Sequence, residues 1–171
     1  AELREKYPKV RFEEIDTKGI SIASLVIVRE VGDMVKAGKS LDEILSWADR
    51  EVDKFAPYFS ADDLRFFRRS GRVSGLAATM GSLIGLRPII YMSPEGKMVS
   101  LGTEKGRFKA MSRLADEVAR LGEDISAHHI CIAHTDAEDM AREVGKMIEE
   151  KFGKLNIEYV VVNPTAGSHC N

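Results

Sequence analysis

The side chains best suited to do chemistry in this chain are a cluster of arginines, a distant histidine and a run of small residues. Phe66-Phe67-Arg68-Arg69-Ser70-Gly71-Arg72-Val73-Ser74-Gly75 precedes Gly81-Ser82-Leu83-Ile84-Gly85-Leu86-Arg87-Pro88-Ile89. Cations and bare backbone therefore adjoin an uncharged stretch with small residues at Gly75, Ala77, Ala78, Gly81 and Ser82. Small residues allow close approach of a ligand, although tight helix packing would use them equally well. The combination suits an anionic head group joined to something apolar. Arg68 and Arg69 fall at a predicted helix end, where cations complement the macrodipole, so capping and solvation account for them. Arg72 is flanked by Gly71 and by Ser74-Gly75, and its guanidinium can grip a carboxylate as a bidentate fork.

His169 follows Gly167-Ser168 beyond the carboxyl end of a predicted strand, where open α/β sheets place ligands. It can donate a hydrogen bond or a charge to an anion, or be a plain surface histidine. Lys105, Arg107 and Lys109 begin a predicted helix, the end at which positive charge opposes the dipole. An anionic partner would explain them; so would a solvated surface. His128 and His129 are adjacent on a strand and point to opposite faces, and His134 ends that strand facing a possible cleft. No HExxH, CxxC or clustered His-carboxylate spacing argues for a metal. Asp62 and Asp63 are explained as first-turn capping carboxylates. Walker A, GxGxxG and Gly-x-Ser-x-Gly patterns are absent.

The elements that must position these groups follow from periodicity. Residues 10–15 alternate and predict a strand; residues 22–35 predict a well-buried helix. Ser40 and Glu43 form a capping-box pattern before a helix with core stripe Leu41, Ile44, Leu45, Ala48, Val52 and Phe55. Residues 56–59 read as extended, and Ser60 with Asp63 repeats the capping pattern before a helix that Gly71 stops. Residues 74–84 read as a helix. A β-hairpin over 87–101 turns at Ser93-Pro94-Glu95-Gly96. A helix over 104–121 should turn Phe108, Met111, Ala115 and Val118 inward. A buried strand at 129–133, a helix capped by Thr135 with Glu138 and a strand at 157–162 imply a parallel pair with a right-handed crossover. Residues 163–171 read as a loop.

With 171 residues, 44% of them hydrophobic, the chain can hold one domain or parts of two. A formal charge of −2 argues against a nucleic-acid surface, which needs a broad excess of cations. Cys131 and Cys170 form no disulfide framework, so a reducing cytoplasmic setting is expected. No apolar run approaches the roughly 20 residues of a membrane helix, and a soluble globular protein without a signal peptide is expected.

At Asp62-Asp63-Leu64, Arg69-Ser70-Gly71-Arg72-Val73-Ser74, residues 81–89 and Lys105-Gly106-Arg107, the sequence resembles the DegV family of bacterial fatty-acid-binding proteins. Glu14-Ile15-Asp16-Thr17 and Gly167-Ser168-His169 fit the same pattern, so the resemblance runs the length of the chain. It implies a two-domain α/β architecture, with residues 1–58 the carboxyl-terminal part of the first domain and 59–171 a nearly complete second one. The amino-terminal serine/threonine-bearing segments and the last strand of the family are expected to be missing from this piece. The resemblance further implies one long-chain fatty acid enclosed between the domains, its carboxylate near the junction and its tail buried, with no other cofactor. Arg72 and His169 would be the second domain's contributions to the carboxylate site. Gly75, Ala78, Gly81, Ser82, Ile84 and Leu86 would help line the acyl tunnel. Some members present the acid to a partner kinase for acyl-phosphate formation, and Arg107 matches a basic docking position, with Lys105 beside it.

Three functions follow. The first is a non-catalytic lipid carrier using Arg72 and His169. The second is an enzyme acting on a small anionic ester or phosphate, with His169 as acid or base and Arg72 as electrostatic clamp. That reading lacks a positioned nucleophile in the sequence. The third is an interaction module that docks a protein through Lys105, Arg107 and Lys109.

Overall fold

The computed structural model describes residues 2–62, 64–71 and 85–170. The short exposed helix α1 (Glu2–Lys6) is followed by α2 (Ile22–Lys36) and α3 (Leu41–Glu51), which runs into a 3₁₀ turn, Val52–Lys54. Ser40 realises the predicted capping box. Its Oγ accepts the Glu43 N–H at 3.3 Å, and its own N–H donates to Glu43 Oε2 at 2.9 Å. Ile27, Ala48 and Val52 form the core of this part, with Ile15, Trp47 and Phe55 packed around them.

Three expectations fail in this first part, the smallest being Leu41 of the expected α3 core stripe, which opens that helix 39% exposed. Residues 10–15 are not a strand, because alternation makes a strand only where a neighbour supplies the ladder, and no described strand pairs with them. The backbone there is held by side chains instead: Arg4 donates to the Phe12 carbonyl at 2.7 Å, and Arg11 pairs with Glu13 and Asp42, each at 2.7 Å. Helix α2 is not buried on most of its circumference. Ala23 and Ile27 are, whereas Val28 and Val35 are 60% and 59% exposed.

Strands β1 (Tyr58–Ser60), β2 (Leu86–Met92) and β3 (Met98–Lys105) form an antiparallel sheet in that order, with a bulge between Ile89 and Ile90. The β2–β3 hairpin turns at the predicted residues, and the Gly96 N–H donates to the Ser93 carbonyl at 2.9 Å. Between β1 and β2 lies α4 (Arg65–Arg69), ended as expected by Gly71 at φ 73°. Ala61, Leu64, Phe67 and Ile90 make a second core cluster. Ser60 does not cap α4, since it belongs to β1 and pairs with Ile89; the capping partner Asp63, like the predicted helix over 74–84, lies outside the described residues.

Helix α5 (Arg107–Leu121) begins three residues later than predicted, because β3 runs on through Glu104 and Lys105 and Gly106 makes the turn at φ 80°. Met111, Ala115 and Val118 face the core as expected, but Phe108 is 67% exposed. Side chains on a helix lean toward its amino terminus, so a first-turn residue projects past the helix rather than onto the layer beneath it. Strands β4 (His129–His134) and β5 (Asn156–Val161) pair in parallel, connected by α6 (Glu138–Phe152). Helices α5 and α6 pack together over one face of this pair, burying Ala115, Val144 and Ile148 against Ile130 and Ile132. Strand β4 is half-buried, not buried, because this cover lies on the Ile130 and Ile132 face while His129 opens the strand exposed.

The amino end of α6 also departs from expectation. Its cap residue is Ala137, with no side-chain cap, and the Ala137 N–H donates to His134 Nδ1 at 3.2 Å, so Thr135 does not cap the helix. Residues 164–170 are a helix, α7 (Pro164–Cys170), not a loop. Asn163 Oδ1 accepts the Ala166 N–H at 2.9 Å and Pro164 opens the first turn, the arrangement in which a missing N–H costs nothing.

Candidate ligand-binding site

Helix α7 stands at the carboxyl ends of the parallel strands. The Val162 N–H donates to the His134 carbonyl at 2.9 Å, and a side chain at Gly167 would touch Thr135 Cγ2 at 3.6 Å. The helix packs against α4. His169 lies in the last turn of α7, the helix that packs against α4, and α4 is followed along the chain by Ser70 and Gly71, a turn. Arg72 itself lies outside the described residues, as do Gly75, Ala78, Gly81, Ser82 and Ile84. Leu86 is half-buried at the start of β2. Arg68 and Arg69 are exposed in the last turn of α4, consistent with capping and solvation.

The basic start of α5 has a partner in Asp62, a residue whose position in the sequence suggests helix capping. Asp62 does not sit in a helical first turn; it lies in a bend between β1 and α4. Its Oδ1 accepts from Arg87 Nε at 2.6 Å, and its Oδ2 accepts from Arg107 Nε at 2.9 Å and from Arg107 Nη2. Hydrogen bonding from Arg107, assisted by Arg87 and opposed by partial burial, holds the Asp62 carboxyl below the ordinary carboxylate range. Asp62 is thus an anion that offsets the unfavourable placement of Arg107 at a helix amino end. The signal that could have found it was that placement. Lys105 and Lys109 stay exposed beside it, with Lys105 on the strand and not on the helix.

Two cavities lie away from these groups. One of about 280 Å³ is lined by Glu14, Asp16, Asp49, Asp53 and Lys18 among others, with Lys18 bonded to Asp53 at 2.5 Å. The other, about 500 Å³, opens beside Trp47 and Arg50. Among the described residues no cluster of three or more His, Cys, Asp or Glu could hold a metal ion, and no helix is long and apolar enough to cross a membrane. Burial pushes the Cys131 thiol up from its ordinary value, which disfavours the reactive thiolate.

Known proteins share this sequence pattern and fold. A DegV domain-containing protein of Clostridium perfringens is 33% identical over 168 residues, covering 98% of this chain and 58% of that protein. A fatty acid binding DegV family protein of Streptococcus agalactiae is 25% identical with a TM-score of 0.85, over 99% of this chain and 59% of that one. The Streptococcus pneumoniae Fatty Acid Kinase (Fak) B3 protein loaded with linoleic acid shares the fold at 20% identity and a TM-score of 0.81, over 98% and 59% of the two chains. The chain therefore spans somewhat under two thirds of the length of these relatives. The family model described as "Uncharacterised protein, DegV family" matches residues 1–171, and with its whole length matched this chain belongs to the DegV family.

Proposed function

We propose that this chain is the carboxylate-binding part of a protein that carries one long-chain fatty acid. The observation that carries the reading is the packing of α7, the helix that contains His169, against α4, the helix that precedes Arg72 in the chain, at the carboxyl ends of the parallel strands. A guanidinium and an imidazole are a cation and a hydrogen-bond donor of the kind that suits a carboxylate. The fatty acids bound by relatives of the same fold support that choice of anion.

In this reading Arg72 and His169 hold the head group, and Gly75, Ala78, Gly81, Ser82, Ile84 and Leu86 line the start of the acyl tunnel. The protein binds and presents; it does not catalyse, and it needs no cofactor besides its lipid. Lys105 and Arg107 dock a cytoplasmic kinase that transfers the γ-phosphoryl group of ATP to the bound carboxylate, yielding acyl phosphate and ADP. The chain divides near residue 58 into the end of one α/β domain and most of a second. That division is supported by the described core clusters, one lying wholly before residue 58 and two wholly after it.

Lipid extracted from the purified full-length parent protein and analysed by mass spectrometry should contain long-chain acid near one per protein. Arg72→Ala and His169→Ala should each lower that occupancy. Recovery of no acid from the unaltered protein overturns the reading.

A further inference from the structure

We propose that Asp62 is a positioning residue that fixes the guanidinium of Arg107 for docking to an acidic surface of the partner. The proposal rests on the reading of Arg107 as a docking residue and assigns the group that makes it effective.

The geometry runs outward from the core. Strand β2 is buried at Pro88, Ile89 and Ile90, and Arg87, next to them, has only 18% of its side chain exposed. Arg87 Nε holds Asp62 Oδ1, which fixes the carboxylate and presents Oδ2 to Arg107. Arg107 uses Nε and Nη2 on that single oxygen, and Nη1 has no hydrogen bond among the described residues. Its side chain remains 58% exposed. The guanidinium is therefore held on one edge and open on another.

Charge bookkeeping agrees with a docking role. One carboxylate between two guanidinium groups leaves a net positive charge, so the surface still attracts an anion. Exposed Lys105 and Lys109 extend the same sign. A long cationic side chain normally loses rotamer freedom on binding; here that ordering is completed in the free protein. Without Asp62, the amino end of α5 would repel the charge of Arg107.

The test uses the full-length parent protein, loaded with a long-chain fatty acid, and its ATP-dependent fatty-acid kinase, with acyl phosphate measured as the binding protein is varied. Asp62→Asn should raise KM for the binding protein roughly three- to tenfold, the scale of ordering one long side chain, with kcat and bound acid unchanged. Asp62→Glu should recover part of the loss, and Asp62→Asn combined with Arg107→Ala should be no worse than Arg107→Ala alone. An unchanged KM for Asp62→Asn, while Arg107→Ala raises it, overturns the positioning role and leaves the docking reading standing. No effect of Arg107→Ala overturns both. Loss of bound acid in Asp62→Asn also overturns the proposal, since Asp62 would then serve the lipid site. If Asp62→Asn does not fold, Asp62→Glu carries the test: the charge is kept but displaced by one methylene, so an intermediate KM supports the role and an unchanged one overturns it.

Discussion

Glu43 and Asp62 are both carboxylates held below their ordinary range, and they differ in what holds them. Glu43 is brought down to about 2 by the Ser40 backbone N–H first, then by Lys39 and the Ser40 hydroxyl, all within one helical turn and its cap. Asp62 is lowered chiefly by Arg107, a residue 45 positions away. A depressed folded-state pKa contributes stability that is fully present above the unfolded value. That contribution is lost as pH falls through the folded one. The contribution of the Glu43 cap should therefore fade between pH 4.5 and about 2. A carbon-13 NMR titration should find the Glu43 midpoint near 2 and the Asp62 midpoint below 3.8, with Arg107→Ala raising the latter more than Arg87→Ala does. The same locality decides what was legible in the sequence. The Ser/Thr-x-x-acid patterns expected to cap helices are those at Ser40, Ser60 and Thr135, and of these only Ser40 is seen to cap. Ser60 is drawn into β1 opposite Ile89, and His134 Nδ1 takes the N–H of Ala137 ahead of the helix that Thr135 was expected to cap.

Among the elements, the contact of α6 with β5 is the most sharply constrained. Gly145 is buried, and a Cβ there would lie 3.0 Å from Tyr159 Cζ and closer still to its hydroxyl oxygen. The ring is also covered by the Arg142 guanidinium at 4.8 Å, so it cannot turn aside freely. Gly145→Ala should destabilise the protein by about 1–3 kcal/mol in urea denaturation, the usual cost of overfilling a packed contact. Tyr159→Phe in the same background should recover part of that loss; full additivity of the two changes would mean the hydroxyl contact is not the cause. Helix α6 and the hairpin were readable because periodicity and turn residues specify them locally. The inward expectation for Phe108 failed for a reason periodicity does not contain: a stripe says which residues share a face, not how far the layer beneath it extends. Helix α7 read as a loop because Gly167 and Ser168 within it weigh the local propensity that way, although Asn163-Pro164, a cap followed by a first-turn proline, signals a helix start.

Across the whole molecule, Ile27, Ala48 and Val52 form one core, and the clusters around Ile90 and around Ile148 lie after residue 58. Arg29 reaches over 129 residues of sequence to pair with Glu158, with His129 Nε2 3.6 Å from the same carboxylate. Such a half-exposed pair adds under about 1 kcal/mol, so it orients the parts more than it joins them. Native-state hydrogen exchange should accordingly give the amides around Ile27 and Ala48 an opening free energy distinct from those around Ala115 and Ile148. One shared value would mean a single cooperative unit and would remove the division near residue 58. By itself the sequence determined the local instructions: the capping box at Ser40, the Gly71 stop, the hairpin turn at Ser93 to Gly96, the parallel β4–α6–β5 unit, and enough motif spacing to resemble the DegV family. Only the tertiary structure decided which capping patterns were overridden, that α7 lies against α4, and that Asp62 belongs to Arg87 and Arg107 and not to its own helix. Local preferences are set within one or two turns of chain, whereas an ion pair or a helix contact depends on which distant group the fold delivers.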